Sequence, residues 1–218
     1  MTNMHYQHTQ TGNLHKLNSI DNSNYWELYF WICNYNKELV ELKNFLINKE
    51  EYILEKYEPR SDGGTNLGPD TTTARYSVYN IFEEFNNTCL QDVKQFINIE
   101  YKRFLKELSV EVKNPKITAW YNILHYGQMI DRHFHGDLSR MSGNMVVSCY
   151  NSSTFYELPF NSGVYEIKNQ AGNLVLFNSV VPHWTSKNDV HDPRITLAAD
   201  FYDDEMSNLD LQSVILNL

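Results

Sequence analysis

"GNLVLFNSVVPHWTSKNDVHDPRITLAADFY", residues 172–202, holds two apolar runs, one opened by a Gly-Asn turn and one by Pro-Arg, joined by a polar connection that carries Pro182 and His183. Both runs are short and rich in branched and aromatic residues, so each predicts a strand. Working outward, three more runs share this texture: "KITAWYNILHY" (116–126), "MSGNMVVSCYN" (141–151) and "GVYEIK" (163–168), each bounded by Gly, Asn, Ser or Pro. Short strands that recur without helices between them pack as two layers. Residues 115–204 therefore predict a jelly roll or related barrel rather than a parallel sheet.

Upstream the period changes. From Asn36, "NKELVELKNFLINKEEYILEKY" carries Leu39, Leu42, Leu46, Ile53 and Tyr57 at helical spacing with charges between them, and Asn36 is placed to cap the helix. A longer helical pattern runs from about Glu83 to Leu108 through Phe85, Cys89, Val93, Phe96, Ile97, Tyr101, Phe104 and Leu105. Between the two, "SDGGTNLGPDTTTARYSVYNIF" predicts a long loop running into a strand at Tyr76–Asn80, and residues 60–75 make a natural substrate lid. Residues 1–24 are Asn-, Thr- and His-rich and predict a loose arm with at most one short strand, its His5, His8 and His15 solvated. The chain thus predicts an α+β protein with a mainly β core. The arm precedes a single domain, 25–218, in which 25–114 supply two supporting helices and the lid.

Composition narrows the function. The chain has 218 residues, enough for one substantial core, and its net charge of -9 with no Lys/Arg cluster argues against nucleic acid or an anionic membrane surface as partner. A local Arg can still hold a small anion. The three cysteines, Cys33, Cys89 and Cys149, are far apart and lack C-x-x-C spacing, which predicts buried free thiols. No run approaches the roughly 18 apolar residues of a membrane span, and the polar start is unlike a signal sequence, so the expected location is the cytoplasm.

The chemistry concentrates in "RHFHGDLSRMSG", residues 132–143, where His133, His135 and Asp137 fall at alternate positions. In an extended segment alternate side chains share a face, so neighbouring members of this set can grip one ion. The third ligand comes from the 172–202 stretch. His183 follows Pro182 at a strand end, and Arg194 opens the next strand eleven residues on. Two histidines and a carboxylate on one side of Fe(II) leave positions for a bidentate 2-oxoacid and O2, and an arginine on a neighbouring strand holds the far carboxylate of that oxoacid.

"AWYNILHYGQMIDRHFHGDLSRMSGNMVV" (119–147) and the 172–202 stretch together resemble the 2-oxoglutarate and Fe(II)-dependent oxygenases, most narrowly those of bacteria and marine phages. The likeness rests on Trp120, Asn122, Gly127, His133, His135, Ser142, Gly143, Gly172, Phe177, Ser179, His183 and Arg194, and spans roughly Lys116 to Tyr202. It implies a double-stranded β-helix of cupin-like form with Fe(II) and 2-oxoglutarate as cofactor and co-substrate. It also implies an O2-dependent hydroxylation of an amino acid, a peptide side chain or a small metabolite.

The spacing leaves two strand pairs open, His133 with His135 or His135 with Asp137. The preferred ligand set is His135, Asp137 and His183, because a carboxylate lowers the charge of the metal centre; three histidines are the alternative, with His133 as a ligand. Under the preferred set His133 is a neighbouring or 2-oxoglutarate contact, alongside Arg194, Asn122 and Thr196. Arg75 at the pocket mouth and Trp184 beside the distal histidine are the candidate substrate contacts. His125 and His191 are left as structural or solvated. Two rival functions stand against this one: a three-histidine iron dioxygenase that uses no oxoacid, and a catalytically silent binding module on the same barrel.

Overall fold

The structure, a computed structural model, describes residues 3–8, 12–19, 25–136, 139–202 and 214–215. Its strands are β1 (Asn3–His8), β2 (Gly12–Asn18), β3 (Glu27–Asn34), β4 (Lys116–Leu124), β5 (Met141–Ser148), β6 (Ser153–Glu157), β7 (Val164–Lys168), β8 (Asn173–Asn178), β9 (His183–Thr185), β10 (Arg194–Tyr202) and β11 (Val214–Ile215). Among the described residues they form an eight-stranded sheet, ordered β1-β2-β3-β8-β5-β10-β4-β11, and a three-stranded sheet, β7-β6-β9. All the pairings are antiparallel. This is the double-stranded β-helix that the strand texture and the resemblance predict.

The alternation of each central strand decides what faces the site. On β10, Ile195, Leu197, Ala199 and Phe201 join the core shared with the helices, while Thr196, Ala198 and Asp200 line a cavity on the other face. On β4, Ile117, Ala119, Tyr121 and Ile123 go to the same core, and Trp120 and Asn122 to the cavity. The antiparallel register sets Thr196 opposite Asn122 and Ala198 opposite Trp120. A second core, with Phe30, Tyr156, Val175 and Phe177, fills the space between the two sheets. Tyr156 meets Phe30 and Phe177 edge to face, with ring centroids 4.9 and 5.0 Å apart. Burying rings of this size contributes about 1.5–3 kcal/mol each.

The helices are α1 (Val40–Lys56), α2 (Ile81–Glu84) and α3 (Thr88–Glu107). Leu42, Leu46 and Ile53 of α1 and Val93, Ile97, Tyr101 and Phe104 of α3 are buried in the helix-facing core. Asn36 does not cap α1, which starts at Leu39 without a side-chain cap. The predicted helix from Glu83 is two helices, because Phe85 and Asn87 are extended and the Asn87 side chain accepts the Leu90 N–H at 3.1 Å to start α3 afresh. Nor is there a strand at Tyr76–Asn80. Both edges of β4 are already paired, by β10 and β11, and Asn80 instead caps α2 while donating to the Ile117 carbonyl at 2.8 Å.

The arm, expected to hold at most one short strand, supplies two, β1 and β2, paired with each other. Its Gly12–Asn18 segment is a strand of the large sheet, with Leu14 and Leu17 buried. Gly12 is required there because the Trp31 ring occupies the place a Cβ would take. His15 is not simply solvated, since its Nδ1 lies 2.7 Å from the Tyr165 hydroxyl. Cys33, Cys89 and Cys149 are free thiols, with Cys33 buried. Among the described residues no helix is long and apolar enough to cross a membrane.

Candidate metal centre and its cavity

His133 and His183 are brought together by their own backbones. Each donates its N–H to the other's carbonyl, at 3.0 and 2.8 Å, which pins the chain before β5 against β9 and sets the two rings 4.3 Å apart, centroid to centroid. His135, two residues along on the same face, is fixed by its N–H to the Ser179 carbonyl at 3.0 Å. Its ring lies 5.4 Å from that of His133 and 5.1 Å from that of His183. The three histidines offer ligand nitrogens that all lie within 4.8 Å of one another.

The other ring nitrogens are already engaged. Nδ1 of His133 meets the Asp131 carbonyl at 2.9 Å, Nδ1 of His183 meets the Val181 carbonyl at 3.0 Å, and Nδ1 of His135 meets the Asp200 carboxylate at 2.7 Å. A carbonyl or carboxylate partner requires that Nδ1 carry the proton. Nε2 of each neutral ring is then a bare lone pair, the form in which histidine binds a metal. Burial reinforces this neutrality: it lowers the pKa of His133 to about 4 and holds His183 well below the ordinary histidine value, with the neighbouring histidines adding to both. His133, which the sequence assigns to a neighbouring role under the preferred ligand set, stands inside the cluster. Asp137 lies outside the described residues.

A pH dependence follows for the metal-free protein. His133 keeps its proton off down to about pH 4, whereas in the unfolded chain it protonates near 6.5. Stability is therefore full above about pH 6.5 and falls as pH drops toward 4, by about 3 kcal/mol from this group at the end of that window. His183 acts in the same direction. Urea unfolding of chelator-treated protein at pH 7 and pH 5 is expected to show the loss, and His133→Gln to reduce it to the part left by His183; equal midpoints for wild type at the two pH values would contradict this.

The histidines open onto a cavity of about 130 Å³ between the two sheets, walled by Trp120, Phe177 and Thr185 and floored by Asn122 and Thr196. Asn122 is buried, donates to Thr196 Oγ1 at 3.4 Å and accepts from Thr73 Oγ1 at 2.7 Å. Asp62 and Thr65 from the predicted lid segment also line the cavity, as do Tyr76 just beyond it and the exposed Phe134. That segment is tied on both sides. Thr72 Oγ1 donates to the Tyr121 carbonyl at 2.6 Å, and the Asp131 N–H to the Thr65 carbonyl at 3.0 Å.

Arg194 has the same strand parity as Thr196 and Asp200 and is only 1% exposed. Its Nη2 donates to Thr154 Oγ1 at 3.2 Å and, with the Asn169 amide turned to suit its neighbours, to Asn169 Oδ1 at 3.1 Å. Among the described residues its Nε and Nη1 have no hydrogen-bond partner, and the nearby buried Tyr156 hydroxyl has none either. Burial lowers the guanidinium pKa to about 10. Asp192, an alternative surface partner for Arg194, pairs instead with Lys43 at 2.7 Å. A buried cation with spare donors is costly unless an acceptor completes it. Such donors can hold a carboxylate.

Two sequence-derived candidates lie elsewhere. Arg75 neither reaches the cavity nor sits at the surface: it is buried, and its guanidinium donates to the carbonyls of Leu54, Tyr57, Pro69 and Thr71 at 2.5 to 3.2 Å, clamping the lid segment to α1. Trp184 points to the opposite side of β9 from His183 and Thr185 and stacks on Phe155 with centroids 5.6 Å apart. His125 and His191 are exposed, the first beside Glu50 and the second stacked on Tyr126. Sequence reasoning missed Tyr156, Tyr76 and Asp200. For Asp200 the available signal was its parity with Arg194 and Thr196 in "RITLAAD".

No protein-family model and no curated protein matches the sequence. The architecture, however, is similar to that of a prolyl-4-hydroxylase from Pseudomonas putida, with a TM-score of 0.54 at 12% identity, covering 80% of this chain and 92% of that one. It is similar to the same degree to SnoK, a non-haem α-ketoglutarate-dependent carbocyclase of nogalamycin biosynthesis, with a TM-score of 0.54 at 10% identity, covering 84% and 87% of the two chains. This chain has their fold. At these identities the likeness is one of architecture, and the case for chemistry rests on the histidine cluster and Arg194.

Proposed function

We propose that this protein is a non-haem Fe(II)- and 2-oxoglutarate-dependent oxygenase that hydroxylates an amino acid, a peptide side chain or a small metabolite. The observation that carries the oxoacid is the buried Arg194 guanidinium, whose Nε and Nη1 lack partners among the described residues and can donate to the carboxylate oxygens of a dicarboxylic acid. Three clustered histidines whose Nδ1 atoms are engaged and whose Nε2 atoms are left to a ligand fit a divalent metal, so His133, His135 and His183 are assigned as its ligands. Three such ligands leave room on an octahedral ion for the oxoacid and O2. When bound, iron and 2-oxoglutarate supply the oxidising power: O2 is consumed, 2-oxoglutarate is converted to succinate and CO2, and one oxygen atom enters a substrate C–H bond.

The chain's own contribution is placement and shelter. Arg194, with the Tyr156 hydroxyl close by, takes the far carboxylate, and Asn122 and Thr196 offer amide and hydroxyl groups along the cavity floor. Trp120 and Phe177 keep water from the reacting centre, and the 60–76 segment closes the side on which Asp62, Tyr76 and Phe134 meet a substrate.

The all-histidine cluster favours a second reading, an iron dioxygenase that needs no oxoacid. Uncoupled turnover separates the two. Anaerobic protein loaded with Fe(II) and given O2 and 2-oxoglutarate is expected to form succinate. Metal binding without succinate, and without an oxoacid-to-metal charge-transfer band, would favour the second reading; neither metal binding nor turnover would leave a silent binding module.

A further inference from the structure

Asp200 is a carboxylate placed where carboxylates are costly. It is 5% exposed, near the end of a fully buried strand, in the wall of the cavity. Its Oδ1 receives the Nδ1–H of His135 at 2.7 Å and the hydroxyl of Ser142 at 2.6 Å, so both donors converge on one oxygen and fix the rotation of the group. Neither side of this contact is free to drift. Asp200 and Ser142 are directly opposed in the β10–β5 register, Ser142 is fully buried, and His135 is held through its own backbone to Ser179. Of the three clustered rings, His135 is the one anchored by a carboxylate, while His133 and His183 rest on main-chain carbonyls.

We infer that Asp200, braced by Ser142, is the positioning residue of the metal centre: it orients His135 and supplies from one bond away the negative charge that three neutral histidines lack. The inference rests on the reading of the histidine cluster as a metal site. A divalent ion beside three neutral imidazoles in a buried cavity has no charge to offset its own. A carboxylate on the far nitrogen of one ligand offsets part of it through the ring, makes that ring the more basic donor and locks its tautomer. Asp200 does this without reaching the metal, since its oxygen lies on the Nδ1 side of the ring, away from Nε2.

The test is anaerobic Co(II) titration, followed by the visible bands of the bound ion and by thermal unfolding with and without metal, on wild type, Asp200→Asn, Ser142→Ala and His135→Ala. Asparagine keeps an acceptor oxygen of the same size and removes the charge. Asp200→Asn is expected to weaken Co(II) by about 10- to 100-fold, alter the visible bands and shrink the metal-induced rise in melting temperature. A purely structural residue would move the melting points of apo and loaded protein together. Ser142→Ala keeps the charge but frees the carboxylate to turn, and is expected to weaken Co(II) by less. Wild-type affinity and spectrum in Asp200→Asn, with binding lost in His135→Ala, would overturn the role of Asp200 and leave the metal site standing. Absence of Co(II) binding to wild type would overturn both. If Asp200→Asn does not fold, Ser142→Ala decides: weakened binding supports the inference and unchanged binding overturns it.

Discussion

Arg194→Met is expected to raise the 2-oxoglutarate concentration for half-maximal succinate formation by at least about 10²-fold, and to do so without destabilising the ligand-free protein. The two halves have one cause. In the ligand-free chain the guanidinium is buried with Nε and Nη1 unpaired, so it costs free energy that a methionine of similar reach does not. With the oxoacid present the guanidinium gains a buried carboxylate partner, and losing one partner of a buried pair costs about 3–5 kcal/mol. Wild type should therefore gain melting temperature on adding 2-oxoglutarate with a non-oxidisable metal, and Arg194→Met should not. The ligand-free melting point of the variant should equal or exceed that of wild type. A variant with wild-type dependence on 2-oxoglutarate would remove Arg194 from the site and, with it, the main argument for an oxoacid.

How much of this was legible in the sequence depends on what kind of force fixes each feature. The barrel core was legible because alternation in an extended strand is local: "RITLAADFY" places Thr196, Ala198 and Asp200 on one face, and β10 delivers all three to the cavity side. His183 was legible for a similar reason, since a histidine at the end of a Gly-led strand has few places to point. The helix boundaries were less so. One apolar stripe runs through 83–108, and only the cap made by Asn87 tells that the chain breaks at 85–87. The strand at Gly12–Asn18 was hidden by its polar composition, because its place is set by pairing with β3 and by the Trp31 ring over Gly12, both remote contacts. Arg75 shows the same limit from the other side. An arginine ending a Thr-rich loop gives no local sign that the carbonyls of Leu54 and Tyr57, at the end of α1, converge on it with those of its own loop.

The choice between the two strand pairs is where sequence spacing alone was silent, and variants of the ligand candidates decide it. His183→Ala is expected to weaken Co(II) or Fe(II) binding by about 10²- to 10³-fold, since tightly held structural metals bind with about 10–16 kcal/mol shared among four ligands, or roughly 2.5–4 kcal/mol apiece. His133→Ala should cost as much, for three reasons. Its ring packs 4.3 Å from that of His183, its backbone is locked to the same residue, and its Nδ1 is already held by the Asp131 carbonyl, leaving Nε2 for the ion. Asp137→Ala should leave affinity close to wild type, because the negative charge the centre needs is supplied through His135 by Asp200. Anaerobic metal titration of the three variants checks the set, with succinate formation as a second readout. The reverse order, binding lost in Asp137→Ala and kept in His133→Ala, would restore the two-histidine, one-carboxylate set and make His133 a neighbour of the ion. In that case Asp200 could still orient His135, but the centre would hold one carboxylate directly and a second through a histidine. Its affinity would then respond less to Asp200→Asn than a three-histidine site must, so the Asp137 and Asp200 variants, measured together, fix both the ligands and the source of the charge.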